Sequence, residues 1–238
     1  MDWKKGASEG LLRLCSRDQN IEEISIADGN LLARLITTAD GEEMRACQRL
    51  RYDYFVCQKR WVEANPTDPG HEADKYDPFA HHLAVFREQE VLAYLRLLIW
   101  HPAVGFMLNQ EFSCLLLPEQ PHTLIRDGAA EISRLVINPT VRTLGSRRAF
   151  QHCIELLFKL FYRVALHRHL NDFYIEVEVD WLDTFATHFG LNFIPIGNPC
   201  IFPDGTPTIA AHATRRQLEC SIGQYSAEKL KWYCELDS

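Results

Sequence analysis

The sequence contains no apolar run near the roughly 18–20 residues that span a bilayer as a helix, so a transmembrane segment is not expected. The opening stretch MDWKKGASEGLLRLCSRDQN lacks the apolar core of a secretory signal, which points to a cytoplasmic protein. Basic charge is also scarce: Lys and Arg number 25 against 32 Asp and Glu, a net charge of −7. That balance argues against a general nucleic-acid binder. The one G-x-S-x-G run, Gly6 to Gly10, lies in the weakly periodic opening stretch and not between a strand and a helix, which disfavours an elbow-type serine hydrolase. His81-His82 and His167-x-His169 have no third ligand at a sensible spacing, which disfavours a metal enzyme. The eight cysteines form no C-x-x-C pair and are widely and unevenly spaced. They read as reduced, mostly buried thiols. No internal repeat and no composition break marks a boundary. Residues 1–30 read as an extension and residues 31–238 as a single domain.

The chain does have enough apolar residues for a substantial core, 47% of the total. Residues 31–37 read as a first strand. A helix over 40–61 follows, with Asp40 as cap and Glu43 three residues on. Its buried stripe is expected at Cys47, Leu50, Tyr54, Cys57 and Trp61. Arg51 and Phe55, four apart, share a neighbouring face. Residues 62–80 are rich in proline and acidic groups and read as a long loop that includes Asp74 and Asp77. A hairpin is expected from 82–86 and 91–99. Val91, Ala93, Leu95, Leu97 and Ile99 should face one way, and Leu92, Tyr94, Arg96 and Leu98 the other. Arg96 stands out, because a charge inside an apolar strand needs a partner or a cleft. Residues 100–130 read as irregular, with a short helix near 110–117. Further on, a strand is expected at 172–179, a helix at 181–189 closed by Gly190, strands at 192–196 and 209–217, and a final helix at 227–236.

The chain is organised around 131–152, EISRLVINPTVRTLGSRRAFQH. A strand there breaks at Asn138-Pro139, and a loop with Arg142, Gly145, Ser146, Arg147 and Arg148 opens onto a helix over 146–169. Strand, basic glycine loop and helix together aim unpaired backbone N–H groups at a phosphate. Glu131 and Arg134 lie just upstream. Three residues apart, they point to opposite faces of a regular strand. If both serve one cleft, a bulge must sit near them, and it would free a backbone N–H to polarise a carbonyl. The helix charges are mainly basic: Arg147, Arg148, Lys159, Arg163 and Arg168 against Glu155. Such a surface in an acidic protein suits an acidic partner.

The element order resembles the GNAT N-acyltransferase fold, a mixed α/β (α+β) architecture. It implies a central sheet flanked by helices, with a V-shaped cleft and a bulge near 131–136. The run Arg142-Thr-Leu-Gly145-Ser-Arg147 is similar to the pyrophosphate loop Q/R-x-x-G-x-G/A, with Arg147 in place of the last small residue. A more specific set is R-x-x-x-F-x-x-x-x-x-W at 51–61, E-x-D-x-Y-D at 72–77, Arg96, and E-x-S-R at 131–134. Together these resemble the acyl-homoserine-lactone synthase superfamily over about residues 33–200. Leu135, following E-x-S-R where lactone synthases commonly carry an aromatic, is similar to the branch that makes N-acyl amino acids. That branch includes the synthases associated with exosortase systems.

The resemblance implies a bacterial enzyme that moves a fatty acyl group from acyl carrier protein, or from coenzyme A, to an α-amino group, with no tightly bound cofactor. Glu131 would deprotonate the amine. The bulged backbone at Arg134, Leu135 and Val136 would hold the oxyanion. Arg51, Asp74, Asp77, Arg96 and Arg134 would form a linked charge network that orders the loop over the cleft, with Phe55 and Trp61 beside it at the substrate site, and the basic helix would dock the carrier protein. The acceptor is then an amino acid or, alternatively, S-adenosylmethionine with lactone formation. A non-catalytic carrier-binding module is the reading from another class.

Overall fold

The computed structural model describes residues 24–37, 41–119, 124–143 and 147–235. Strands β1 (Ser25–Asp28), β2 (Leu31–Ile36), β3 (Ala80–Arg87), β4 (Glu90–Ile99) and β5 (Ala129–Ile137) form an antiparallel run in chain order. β6 (Asp172–Glu178) joins β5 in parallel. β9 (Pro207–Thr214) then pairs with β6 and carries the short strands β7 (Ile194–Pro195) and β8 (Cys200–Ile201). Because Ser25–Asp28 pairs with Leu31–Arg34, the sheet begins ahead of the boundary expected at residue 31.

Helix α1 (Glu42–Arg51) covers one face of the sheet, against β4 and β5. It starts at Gly41 with no side-chain cap; the expected cap, Asp40, lies outside the described residues. The helix does not run regularly to Trp61. It loosens into a π-helical turn over Tyr52–Gln58. Arg51 is buried at the end of the regular helix with Met44, Cys47 and Gln48, Phe55 is buried in the wider turn, and Cys57 is exposed.

The opposite face is covered by α4 (Arg147–His167), which follows the small helices α2 (Met107–Gln110) and α3 (Thr140–Thr143). Cys153, Leu156, Leu157, Leu160, Phe161 and Val164 lie in the main core as the 3–4 spacing predicts, and Ala149 is half-buried. Fully burying one such Leu or Phe side chain contributes about 1.5–3 kcal/mol, so this stripe anchors the helix that follows the basic loop. The alternation expected on β4 holds from Ala93 to Leu98. It fails at Val91 and Leu92, where the β3–β4 register shifts between Val85 and Phe86 and exchanges their faces.

The helix after β6 is α5 (Val179–Thr184), prolonged by a π turn over Phe185–Phe189 and closed by Gly190 at φ 71°. The last full strand ends at Thr214 rather than continuing to 217. Thr214 accepts from Gln217 N and caps α6 (Arg215–Tyr225). This helix was not expected, since its Thr-x-x-Gln capping box follows directly on an apolar strand. Helix α7 (Ala227–Cys234) packs on α4. Cys47 and Cys153 are buried, but Cys57, Cys114 and Cys220 are exposed. The described thiols therefore form no disulfide and are not mostly buried. Among the described residues, no helix is long and apolar enough to cross a membrane.

Candidate active site

The site is built where β5 leaves its neighbours. Tyr94 on β4 sits opposite Val136 and Arg96 opposite Ser133, so β5 spends one extra residue between them. Arg134 takes up the slack at φ 54°, a left-handed conformation that costs about 1–2 kcal/mol for a side chain of this kind. On the other edge, pairing with β6 stops at Ile132–Ile175 although both strands continue. The strands splay there and open a cleft between Ser133–Ile137 and Glu176–Glu178. This is the bulge and V-shaped opening that Glu131 and Arg134 required.

The cleft has two unlike walls. Leu135, Ile137, Ile175, Val177 and Trp181 belong to the apolar core beside α4. On the other face stand Ser133, Arg134, Glu176 and Glu178, roofed by Tyr54, Phe55, Trp61, Phe112 and Phe202. The roof is tied together. Trp61 Nε1 donates to Asp204 at 2.8 Å, Phe202 packs edge-on to Trp61 with centroids 5.0 Å apart, and Phe112 stacks on Phe202 at 5.6 Å. Lys59 bridges Glu178 at 2.7 Å and Asp204 at 3.2 Å, joining the π turn to β6 and the β8–β9 connection.

Behind the polar wall lies a charge network. Arg51 and Arg96 are fully buried. Arg51 Nε pairs with Glu72, and its Nη1 donates to Asp77 at 2.9 Å and Tyr94 Oη at 3.2 Å. Arg96 Nη1 reaches Asp74 and Asp77, both at 2.6 Å, and its Nε donates to Ser133 Oγ at 3.0 Å. Arg134 donates to Glu72 at 3.1 Å and Asp74 at 3.0 Å while its guanidinium lies over the Phe55 ring. Three guanidiniums thus meet three carboxylates, and the buried charges cancel. Burial alone would raise Glu72, Asp74 and Asp77, but the adjacent arginines outweigh it and hold all three below the ordinary carboxylate range. His82 closes the network. Burial lowers its pKa, so the neutral ring donates from Nε2 to the Asp77 carbonyl and accepts at Nδ1 from Tyr94 Oη at 2.7 Å.

Glu131 is fully buried two strand positions behind Ser133 and accepts from Leu108 N at 3.3 Å. Its carboxyl also contacts that of Glu176. Burial pushes Glu131 up to about 7, and burial with the neighbouring Glu131 charge pushes Glu176 well above its ordinary value. Apart from the contact between the two, Oε1 of each carboxyl is buried with no hydrogen-bond partner among the described residues.

Of the residues expected at the site, Phe55, Trp61, Arg134 and Leu135 line the opening, and Arg51, Asp74, Asp77, Arg96 and Glu131 lie behind its polar wall. The structure adds Glu72, Tyr94, His82 and Glu176, which the sequence reading did not single out. Glu72 opens the E-x-D-x-Y-D run and was the most accessible of these. Glu176 alternates with apolar residues in β6 and looks like an ordinary outward strand residue. In the phosphate loop, Gly145 and Ser146 lie outside the described residues, as do the side chains of Arg142 and Arg147; Arg148 is exposed. The basic face of α4 is not continuous. Lys159 is buried, with its ammonium 4.5 Å from the Trp232 ring centroid, and Arg163 donates to the backbone carbonyls of Ser25 and Glu235. No group of three His, Cys, Asp or Glu that could hold a metal occurs among the described residues.

Residues 50–151 match the model of the acetyltransferase (GNAT) domain. The chain has a GNAT-like fold. A comparison with curated proteins finds no sequence match. Among solved structures, the chain is similar to the AHL synthase LasI, at 16% identity and TM-score 0.65, over 79% of this chain and 91% of that one. It is similar to the CoA-dependent acyl-homoserine lactone synthase BjaI, at 22% identity and TM-score 0.58, over 78% and 82%. It is also similar to FeeM, an N-acyl amino acid synthase from uncultured soil microbes, at 16% identity and TM-score 0.59, over 82% and 96%. At these identities the likeness is one of fold, and the GNAT acyltransferase fold is the one the resemblance implied.

Proposed function

We propose that the protein transfers an acyl group from a thioester to a primary amine and so forms an amide. The observation that carries this reading is the splay of β5 from β6 beside a buried carboxylate pair. A thioester arm entering there has an apolar wall for its acyl chain. It meets the bulge at Arg134–Leu135, where neither residue has a register partner on β4 and the pairing to β6 has already ended. A backbone N–H released in this way suits the oxyanion of a tetrahedral intermediate. The amine approaches from the polar wall, where Glu131 and Glu176 accept its proton. The charge network keeps Arg134 in its left-handed conformation and so maintains the bulge.

The polar wall favours one acceptor over the other. Its lining charges are Glu176, Glu178 and Arg134; Arg134 is committed to Glu72 and Asp74 and Glu178 to Lys59, which leaves Glu176 with Glu131 behind it. Carboxylates under an aromatic roof suit a cationic acceptor better than a free amino-acid carboxylate. We therefore place S-adenosylmethionine, followed by lactone closure, ahead of the amino acid that the sequence favoured. The solved BjaI structure with SAM and isopentyl-CoA supports that order, and FeeM supports the amino-acid reading. The finer assignment to the exosortase-associated branch rests on Leu135 and its surrounding motif. For the donor, the interrupted basic face of α4 weakens the case for acyl carrier protein and favours acyl coenzyme A, drawn from a cytoplasmic pool. The test is to supply acyl-CoA or acyl carrier protein with each acceptor and weigh the products. An acyl lactone supports the first reading, an N-acyl amino acid the second, and thioester left intact with every acceptor refutes both.

A further inference from the structure

Glu131 lies behind the cleft wall rather than on it, whereas Glu176 lines the opening. Tyr174 sits opposite Glu131 across the parallel pair, and Glu176 is two residues further along β6, on the same face and just past the last paired residue. The two carboxyls touch, and Oε1 of each is buried without a donor. Two such acceptors in contact need one proton between them, because both cannot remain charged at that distance.

We propose that Glu176 is the catalytic carboxylate that meets the amine, and that Glu131 is a positioning residue that shares its proton from behind. This rests on the acyl-transfer reading above. The amine nitrogen attacks the thioester carbonyl carbon, and the resulting N–H proton passes to Glu176. The tetrahedral intermediate collapses, the C–S bond breaks, and the thiolate takes that proton back from the pair to leave as a thiol. The new C–N bond replaces the C–S bond, and the pair returns to its starting state with one proton. Arg96 from β4, Arg134 from β5 and Tyr76 from the 72–77 segment also face the pair. Glu178, the other carboxylate of the wall, is held by Lys59.

The test uses the full chain and two isosteric variants, Glu176→Gln and Glu131→Gln, with thiol release followed across pH. Glu176→Gln should lower kcat about 10²-fold or more and abolish the acidic limb of the rate profile. Glu131→Gln should keep that limb but move it to lower pH, because the neighbouring charge that raises Glu176 is gone. Equal profiles in the wild type and Glu176→Gln, or loss of the limb only in Glu131→Gln, would overturn the assignment. An infrared difference titration supplies a readout free of turnover. The wild type should show one protonated carboxyl at neutral pH that disappears in the double variant. Absence of that band refutes the shared proton, whereas its presence in a protein that acylates no amine refutes the acyl-transfer reading alone.

Discussion

Removing Glu72 tests whether the charge network is the support on which the site stands. Glu72 is almost fully buried and pairs with Arg51 from one side and Arg134 from the other. Glu72→Ala leaves three guanidiniums facing two carboxylates, with Arg51 fully buried. Breaking a buried pair by deleting one partner costs about 3–5 kcal/mol, because the remaining charge stays desolvated. In a chain of this size 1 kcal/mol shifts the melting temperature by about 2–4 °C, so a fall of roughly 6–20 °C is expected. Glu72→Gln keeps an acceptor oxygen and should cost less, about 1–3 kcal/mol. Urea denaturation of the wild type, both variants, and the pair Arg51→Met and Glu72→Met in a double-mutant cycle gives the coupling directly. The double variant should lose less than the sum of the singles by more than about 1 kcal/mol. A Glu72→Ala loss under about 1 kcal/mol, the range of exposed ion pairs, would mean that water reaches the network and would refute the reasoning.

Stability should respond to pH in two opposed ways. Glu72, Asp74 and Asp77 have depressed folded pKa values, so their contribution is present above the ordinary carboxylate range and is lost as pH falls below it. Glu131 and Glu176 have raised values, so the native state binds the extra proton. Their contribution is present at acidic pH and fades as pH rises toward about 7 for Glu131. Urea midpoints against pH for the wild type and the double Gln variant should isolate this fall, and a fall of equal size in both would contradict it. Gly197→Ala should be strongly destabilising, because its Cβ would stand 1.8 Å from the Leu115 carbonyl oxygen; a melting temperature within about 2 °C of the wild type would show that the loop yields freely. Burial pushes Cys47 and Cys153 each up to about 12, so a thiol reagent should label Cys57 and Cys220 in the native protein and these two only after unfolding.

What the sequence made legible were the parts whose chemistry is out of place. Arg96 inside an apolar strand demanded partners, and it has Asp74 and Asp77. Glu131 and Arg134 three apart demanded a bulge, and the extra residue sits at Arg134–Leu135. The hairpin and α4 were readable because one period dominates each. The missing parts depend on tertiary context. A π turn has no period of its own in the sequence, so the exposure of Cys57 could not be read from spacing. Glu176 carries the ordinary polar alternation of a strand, and only the contact across β5–β6 makes it unusual. The basic stripe of α4 was read as solvent-facing because periodicity does not reveal that α7 covers Lys159. Helix α6 follows β9 with no turn residues between, so the strand reading ran past Thr214.

The most direct test of acyl transfer in the splayed cleft is a mass measurement on the purified chain incubated with acyl-CoA and S-adenosylmethionine. The account predicts an N-acylated lactone together with free thiol, both lost in Glu176→Gln. Recovery of unreacted thioester with every acceptor offered, from protein with the wild-type urea midpoint, would contradict it.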